Sequence, residues 1–239
     1  IFLDVLGLGL IIPVAPFYAR AFGADAVQVG LLFTAFAVMQ FLTTPILGAL
    51  SDRYGRRPIL LFSLVGETAG YVLLALASSL PLLFLARIIT GATSGNIGAA
   101  QAYLADITTP RDRTRTFGLL GAAFGLGFMF GPALGGVLSG VDMRTPAVAA
   151  AGLVALNVVF VAFRLPESLP ANRRSHQSVK GQINPAAVII RLLARPSLRI
   201  PLVATFLVNF AFAGFQTNFA VYVADRFGYG YAAFRQQVA

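Results

Sequence analysis

The sequence contains no cysteine, a single histidine and few charges of either sign. Without cysteine, disulfides, thiol catalysis and cysteine-bound metals are all excluded. His176 stands in a polar stretch and builds no metal site alone. Charged residues make up 11% of the chain, against roughly a quarter in soluble domains, which excludes most soluble folds. Disorder is excluded from the other side, because 57% of the residues are hydrophobic and disordered segments are poor in such residues. The sequence has no nucleotide-binding P-loop, metal-ligand cluster or catalytic triad. Neither an enzyme nor a bound cofactor is expected.

What fills the 239 residues is apolar sequence in long blocks, with a mean hydropathy of +0.79. Seven such blocks fall at about 1–19, 28–50, 58–78, 81–105, 115–139, 146–164 and 199–223. Each is near the roughly 20 residues that a helix needs to cross the hydrocarbon layer. Lipid cannot satisfy free backbone groups, and runs of this length are too long for barrel strands, so the spans are helices. A cleaved signal peptide does not fit the first run, since six more spans follow it. The sequence predicts an all-α membrane protein set in the bilayer.

In a soluble protein the net charge of +9 would suggest nucleic acid. Here its placement gives another reason. The breaks after the second, fourth and sixth spans carry Arg53, Arg56 and Arg57; Arg111, Arg113 and Arg115; and Arg164, Arg173, Arg174, Lys180, Arg191, Arg195 and Arg199. The opposite breaks carry only Arg20, Arg144, Arg226 and Arg235. This is a strong positive-inside bias, so the N-terminus and the 165–198 loop are expected in the cytoplasm, and nucleic acid is not an expected partner.

The organisation follows from the same reading. Residues 1–164 form a six-helix bundle, 165–198 a polar central loop with Pro166, Pro170, Gly181 and Pro185, and 199–239 the first helix of a second bundle. Pro45, Leu47 and Gly48 are echoed 87 residues later by Pro132, Leu134 and Gly135. That offset is three spans, so the copies face opposite sides, as in the inverted repeats of transporters. The stretch from Tyr229 to Ala239 does not read as a following helix. The chain opens inside an apolar run at Ile1 and is read as a fragment that lacks a C-terminal bundle.

Several clusters stand out physically. Gly48, Ser51, Asp52, Arg53, Gly55, Arg56, Arg57 and Pro58 form a tight turn between the second and third spans. Its glycines permit an unusual backbone, and Asp52 can meet a helix N-terminus or an arginine, a contact able to form and break with conformation. A plain positive-inside loop needs neither. In the fifth span Gly121, Gly125, Gly127, Gly131 and Gly135 recur near every fourth residue, with Pro132 and Gly136 beside them. Such stripes admit a neighbouring backbone, and Pro132 favours a bend, which suits a sliding interface between bundles. Arg87 lies about six residues inside the fourth span, on a face with Gly91, Gly95, Gly98 and Ala102. A charge there faces a cavity or a partner, or snorkels outward. Asp4 and Glu67 are carboxyls inside apolar runs. The seventh span sets Asn209, Gln216 and Asn218 among phenylalanines, a pattern suited to amphipathic ligands. Asn209 and Gln216 share a face, and Asn96 and Gln101 are further cavity candidates.

The turn resembles the signature loop of the major facilitator superfamily, G-x-L-[SA]-D-R-x-G-R-R/K. Leu85, Arg87 and Gly91 are similar to the family's fourth-span motif, and Gly127, Gly131, Pro132, Gly135 and Gly136 to the G-x-x-x-G-P-x-x-G-G motif of its drug:proton antiporters. The run from Asp4 to Pro16 resembles the first span of twelve-helix multidrug and tetracycline efflux proteins, and Leu165 to Ser168 fits the family's exit from the sixth span.

That resemblance implies the major facilitator fold, residence in a bacterial inner membrane, and export of small amphipathic molecules in exchange for protons. The proton gradient is the energy source. It also implies proton coupling at Arg87 and a first span lining the central cavity, where Asp4 would load and release a proton; an interfacial cap is the other reading of Asp4. Family third spans face outward, so Glu67 is expected to bond to a neighbouring helix, with proton carriage as its other reading. Competing functions are a metabolite or sugar facilitator and a non-transporting membrane fragment.

Overall fold

The structure, a computed structural model, describes residues 1–174, 189–190 and 192–227. The helices are α1 (Phe2–Ile11), α2 (Ala15–Ala21), α3 (Ala26–Tyr54), α4 (Arg56–Ala75), α5 (Leu80–Thr93), α6 (Asn96–Ile107), α7 (Arg113–Ser139), α8 (Thr145–Arg164) and α9 (Pro196–Phe227). No strand occurs among the described residues. The helices make seven spans long and apolar enough to cross a membrane, with α1 and α2 sharing the first and α5 and α6 the fourth.

The two interruptions differ from the sequence expectation of unbroken spans. The first falls at Ile12, Pro13 and Val14. Pro13 has no N–H to donate, and its ring crowds the carbonyl one turn back. The second falls at Ser94 and Gly95, where the Ser94 hydroxyl donates to the Thr90 carbonyl at 2.6 Å and draws it from the helix ladder. Pro132, expected to favour a bend, lies inside an α7 that is continuous, as Pro45 lies inside α3. The α3 N-terminus is fixed by a capping box: the Gln28 N–H donates to Asp25 Oδ1 at 2.7 Å and the Asp25 N–H to Gln28 Oε1 at 3.0 Å.

Glycine sets how closely the spans pack. A Cβ on Gly127 would lie 2.8 Å from Val5, one on Gly9 would lie 2.9 Å from the Gly131 Cα, and one on Gly135 would meet the Leu10 carbonyl. The fifth span therefore presses backbone to backbone on α1. On the other side of the bundle, Gly91 admits the Phe36 carbonyl and Gly95 admits Leu47, pressing the fourth span on α3, while Gly66 and Gly70 of α4 admit Thr93 and Thr90. Leu10, Leu32, Leu64, Tyr71, Leu83 and Val154 fill the shared core.

Exchanging the first three spans for the next three maps these contacts onto each other. The first span packs on the fifth as the fourth packs on the second, the third packs on the sixth, and the first meets the sixth as the fourth meets the third. The two interrupted spans, first and fourth, are also exchanged. This pairing is the architecture of two inverted three-helix units. The seventh span lies largely exposed; its contacts with the bundle include a T-shaped pair of Phe212 with Phe128, ring centroids 5.9 Å apart.

The packing makes a stability test simple. Gly135→Val places a branched side chain against the α1 backbone and is expected to destabilise the bundle by about 1–3 kcal/mol. Gly136→Val faces open space and should stay within about 0.5 kcal/mol of the parent. Denaturant unfolding in micelles, followed by circular dichroism, distinguishes the two. Equal losses would mean that the contact of α7 with α1 is not the tight one.

Candidate functional site

Two polar pairs cross the apolar interior. Asp4, near the start of α1, is buried and accepts a hydrogen bond from Asn157 Nδ2 of α8 at 2.7 Å. Glu67, in the middle of α4, is also buried; it accepts from Tyr71 Oη at 3.2 Å and from Asn96 Nδ2 of α6 at 3.1 Å. The pairs are counterparts under the exchange of halves, one joining first and sixth spans, the other fourth and third. In hydrocarbon surroundings each bond decides whether its carboxyl can be there at all, because an unpaired buried charge is far costlier than a hydrogen-bonded one.

Asp4 and Asn157 form the polar end of a cavity of about 300 Å³ whose walls include Leu64, Tyr103, Leu104 and Phe160. Asn96, read from the sequence as a cavity residue, is instead buried and engaged with Glu67. Gln101 is exposed on α6. On α9, Asn209 is exposed and donates to the Thr205 carbonyl of its own helix, and Gln216 is half-buried. None of the four cavity candidates is among the residues lining the cavity at Asp4.

Arg87 is buried on α5, only 2% exposed, so it does not snorkel to the surface. Its guanidinium lies over the rings of Phe33 and Phe36 of α3, at 5.5 and 5.7 Å. Its Nε and Nη2 have no hydrogen-bond partner among the described residues. Gly91 and Gly95, expected to form a smooth groove below it, are covered by α3; Gly98 is open.

The turn between α3 and α4 carries a dense polar cluster. Gly55 has φ +110°, a backbone that side-chain-bearing residues rarely adopt. It delivers the N-terminus of α4 to the carboxylate of Glu167, which accepts the Arg56 and Arg57 N–H groups at 2.9 and 3.2 Å and that of Leu169 at 3.0 Å. A carboxylate 111 residues away therefore caps α4, where the helix dipole favours negative charge. A Cβ on Gly55 would fall 2.5 Å from Glu167 Oε2.

The Arg56 side chain joins α4 to α3 and α6 through three partners. It pairs with Asp52, donates from Nη1 to Ser51 Oγ at 3.2 Å, and pairs through Nε with Asp106 at the end of α6 at 3.1 Å. Ser168 Oγ donates to the same Asp106 oxygen at 3.2 Å, and Arg57 donates to the Ala162 carbonyl of α8. Arg53 is exposed over the Tyr54 ring, and Gly48 has open space on α3.

In the fifth span Gly127, Gly131 and Gly135 are buried against α1, with Pro132 beside Gly9, while Gly136 is exposed. The close contact these glycines make lies within the six-helix bundle, where the sequence reading placed it between bundles. The partners that sequence reasoning missed are Asn157, Asp106 and the capping role of Glu167. Asn157 had a signal, as an amide alone in an apolar run. Asp106 and Glu167 had none beyond lying at span ends. Within the 165–198 loop, residues 175–188, among them His176, Lys180, Gly181 and Pro185, lie outside the described residues, as does the stretch from Tyr229 to Ala239.

Comparison with known proteins places this arrangement. Residues 1–236 match the model of the Major Facilitator Superfamily. The chain is 44% identical over 175 residues to the class C tetracycline resistance protein of Escherichia coli, covering 72% of this chain and 44% of that protein. It is 30% identical over 230 residues to multidrug resistance protein 2 of Bacillus subtilis, covering 96% of this chain and 58% of that protein. The crystal structure of the human organic anion transporter MFSD10 superposes with a TM-score of 0.76 at 26% identity, over 97% of this chain and 65% of that one. The chain spans about half the length of the curated relatives it matches.

The capping geometry yields a paired prediction. Gly55→Ala forces a strained backbone and pushes on Glu167, with an expected loss of about 1–3 kcal/mol. Gly48→Ala, in open space within a helix, is expected to be neutral or stabilising by up to about 1 kcal/mol. Urea unfolding of the two variants in micelles reads the difference, and a Gly55→Ala protein as stable as the parent would contradict it.

Proposed function

The chain belongs to the major facilitator superfamily, and from that premise we propose that the whole protein exports small amphipathic, drug-like molecules in exchange for protons. The observation that carries the reading is Asp4, a buried carboxyl bonded to Asn157 at the wall of an apolar cavity. Proton entry there neutralises the carboxyl and weakens its hold on a polar or cationic substrate. Binding can drive the alternation only through different affinities in the two states. The likeness to tetracycline and multidrug resistance proteins supports a drug as the cargo.

In this proposal residues 1–164 are the N-terminal bundle, 165–198 a cytoplasmic loop and 199–239 the start of the C-terminal bundle. The Asp52, Arg53, Arg56 and Arg57 turn is the cytoplasmic gate in a bacterial inner membrane, an orientation supported by the positive-inside bias. The second and fifth spans are apolar yet little buried, which supports their meeting a second bundle at faces that include Gly136 and open out from Gly48. Arg87 and Glu67 belong to the proton path, and Asn209 and Gln216 to the cavity wall contributed by the seventh span. A metabolite facilitator of the same superfamily is the competing reading, and it needs no proton exchange.

The test uses everted vesicles from cells making the whole protein, energised to an acidic interior and loaded with a pH-sensitive dye. Tetracycline addition is expected to release protons, and Asp4→Asn to reduce that release by an order of magnitude or more. Drug flux without proton movement would overturn the antiport reading. Full coupling in Asp4→Asn would overturn the choice of carrier. Asp52→Asn should slow transport while leaving substrate affinity nearly unchanged; a pure affinity loss would contradict the gate.

A further inference from the structure

Glu67 is not needed for a cavity carboxyl at Asp4, yet it is buried in the third span and bonded across to the fourth. The place where it bonds is informative. Asn96 is the first residue of α6, directly after the interruption at Ser94 and Gly95. Upstream of that break, α5 is locked on both sides: Gly91 admits the α3 backbone, and Thr90 and Thr93 sit on Gly70 and Gly66 of α4. Downstream, α6 is held differently. It buries Ala99 and Tyr103 in the core, but Gly98 has open space, Gln101 is exposed, and its side-chain hydrogen bonds among the described residues lie near its two ends. At the inner end is the Asn96 bond to Glu67; at the outer end is Asp106, paired with Arg56 and bonded by Ser168. Asn96 and Asp106 lie ten residues apart on one helix, about 15 Å at 1.5 Å per residue. The segment therefore has the form of a lever, pivoting where the helix is broken.

We propose that the Glu67–Asn96 bond is a joint that sets the position of α6, and through it the Asp106–Arg56 ion pair, and that a proton on Glu67 releases it. In the observed arrangement both partners donate to Glu67, which suits an ionised, acceptor-only carboxylate. A proton removes the charge and one acceptor site, and a neutral hydrogen bond is roughly half as strong as a charged one. The groups facing Glu67 are Tyr71 on its own helix, Asn96 on α6, and Asp4 on α1, whose charge reaches it across the bundle. Arg87 on α5 acts at one remove, through Tyr71. The inference goes beyond the exporter reading. It links a carboxyl inside one bundle to the loop cluster, and it holds whatever the cargo is.

The test exploits the absence of native cysteine, which makes two introduced cysteines unique labelling sites. Ile107→Cys at the end of α6 and Phe163→Cys at the end of α8 are both exposed, and α8 packs extensively on α4 and so serves as the reference. Spin labels there, in the protein held in lipid nanodiscs, report the α6 position by pulsed electron–electron resonance between pH 8 and pH 5.5. Two distance populations are expected, with a ratio that changes about tenfold over this range, as the loss of one charged hydrogen bond supports. Glu67→Gln should hold the low-pH population at every pH, and Glu67→Asp should restore the response. Asn96→Ala, which leaves the carboxyl in place, should also give the low-pH population and serves if Glu67→Gln fails to fold. A Glu67→Gln protein that titrates as the parent does overturns the proposal. So does a response abolished by Asp4→Asn and untouched by Glu67→Gln, or an Asn96→Ala protein with the parent's high-pH distances. The measurement reads no transport, so its outcome is independent of the antiport assay.

Discussion

A carboxylate can sit inside an apolar bundle only if the protein itself supplies the hydrogen bonds that water would have given. Asp4 and Glu67 meet that condition with one asparagine each, Asn157 and Asn96, supplied by a different span in each case. The two bonds tie the first span to the sixth and the third to the fourth. Such bonds specify pairing in a way that apolar contact cannot, because leucine packs almost as well against lipid as against another helix. The carboxyls thus constrain which helices are neighbours, and the close packing of the bundle is built around that constraint.

Glycine provides the remaining freedom of approach. Gly127, Gly131 and Gly135 bring the fifth span onto the first, and Gly91 and Gly95 bring the fourth onto the second. Each close pair includes one interrupted span, broken at Pro13 or at Ser94 and Gly95, and one long span that continues through an internal proline, Pro132 or Pro45. The same pairing of a long helix with a broken one recurs in both halves of the bundle, so the symmetry extends to how the helices are built as well as to which of them meet.

The spans themselves were legible because lipid imposes a length and a composition that few other constraints imitate. The α3–α4 turn was legible because Gly55 and the charges around it are unnecessary for a simple connection. The partners were not legible where they depend on distance in space. Glu167 caps a helix that begins 111 residues earlier, and no local pattern can announce that. Asn157 was visible as an amide among apolar residues, but its pairing with Asp4 spans 153 residues. Asn96 misled in the opposite way: an amide in a transport protein's fourth span reads as a cavity wall until its bond to Glu67 is seen. The break at Ser94 and Gly95 was hidden because serine and glycine are common in tightly packed membrane helices, whereas Pro132, the stronger breaker, is carried within an unbroken one.

The charges of the interior are unequally held, and that inequality has a direction. Asp4 and Glu67 have good hydrogen-bond partners, while Arg87 rests against two aromatic rings of α3 with Nε and Nη2 unpaired among the described residues. A ring face attracts a cation but cannot accept the planar fork of donors that an arginine offers. A lysine in this place would shed its proton more readily; arginine keeps its charge and so keeps its demand for an acceptor. Tyr71 stands between the unequal groups, donating to Glu67 and lying within the electrostatic reach of Arg87. The fixed cation, the tyrosine and the glutamate therefore form one interdependent unit.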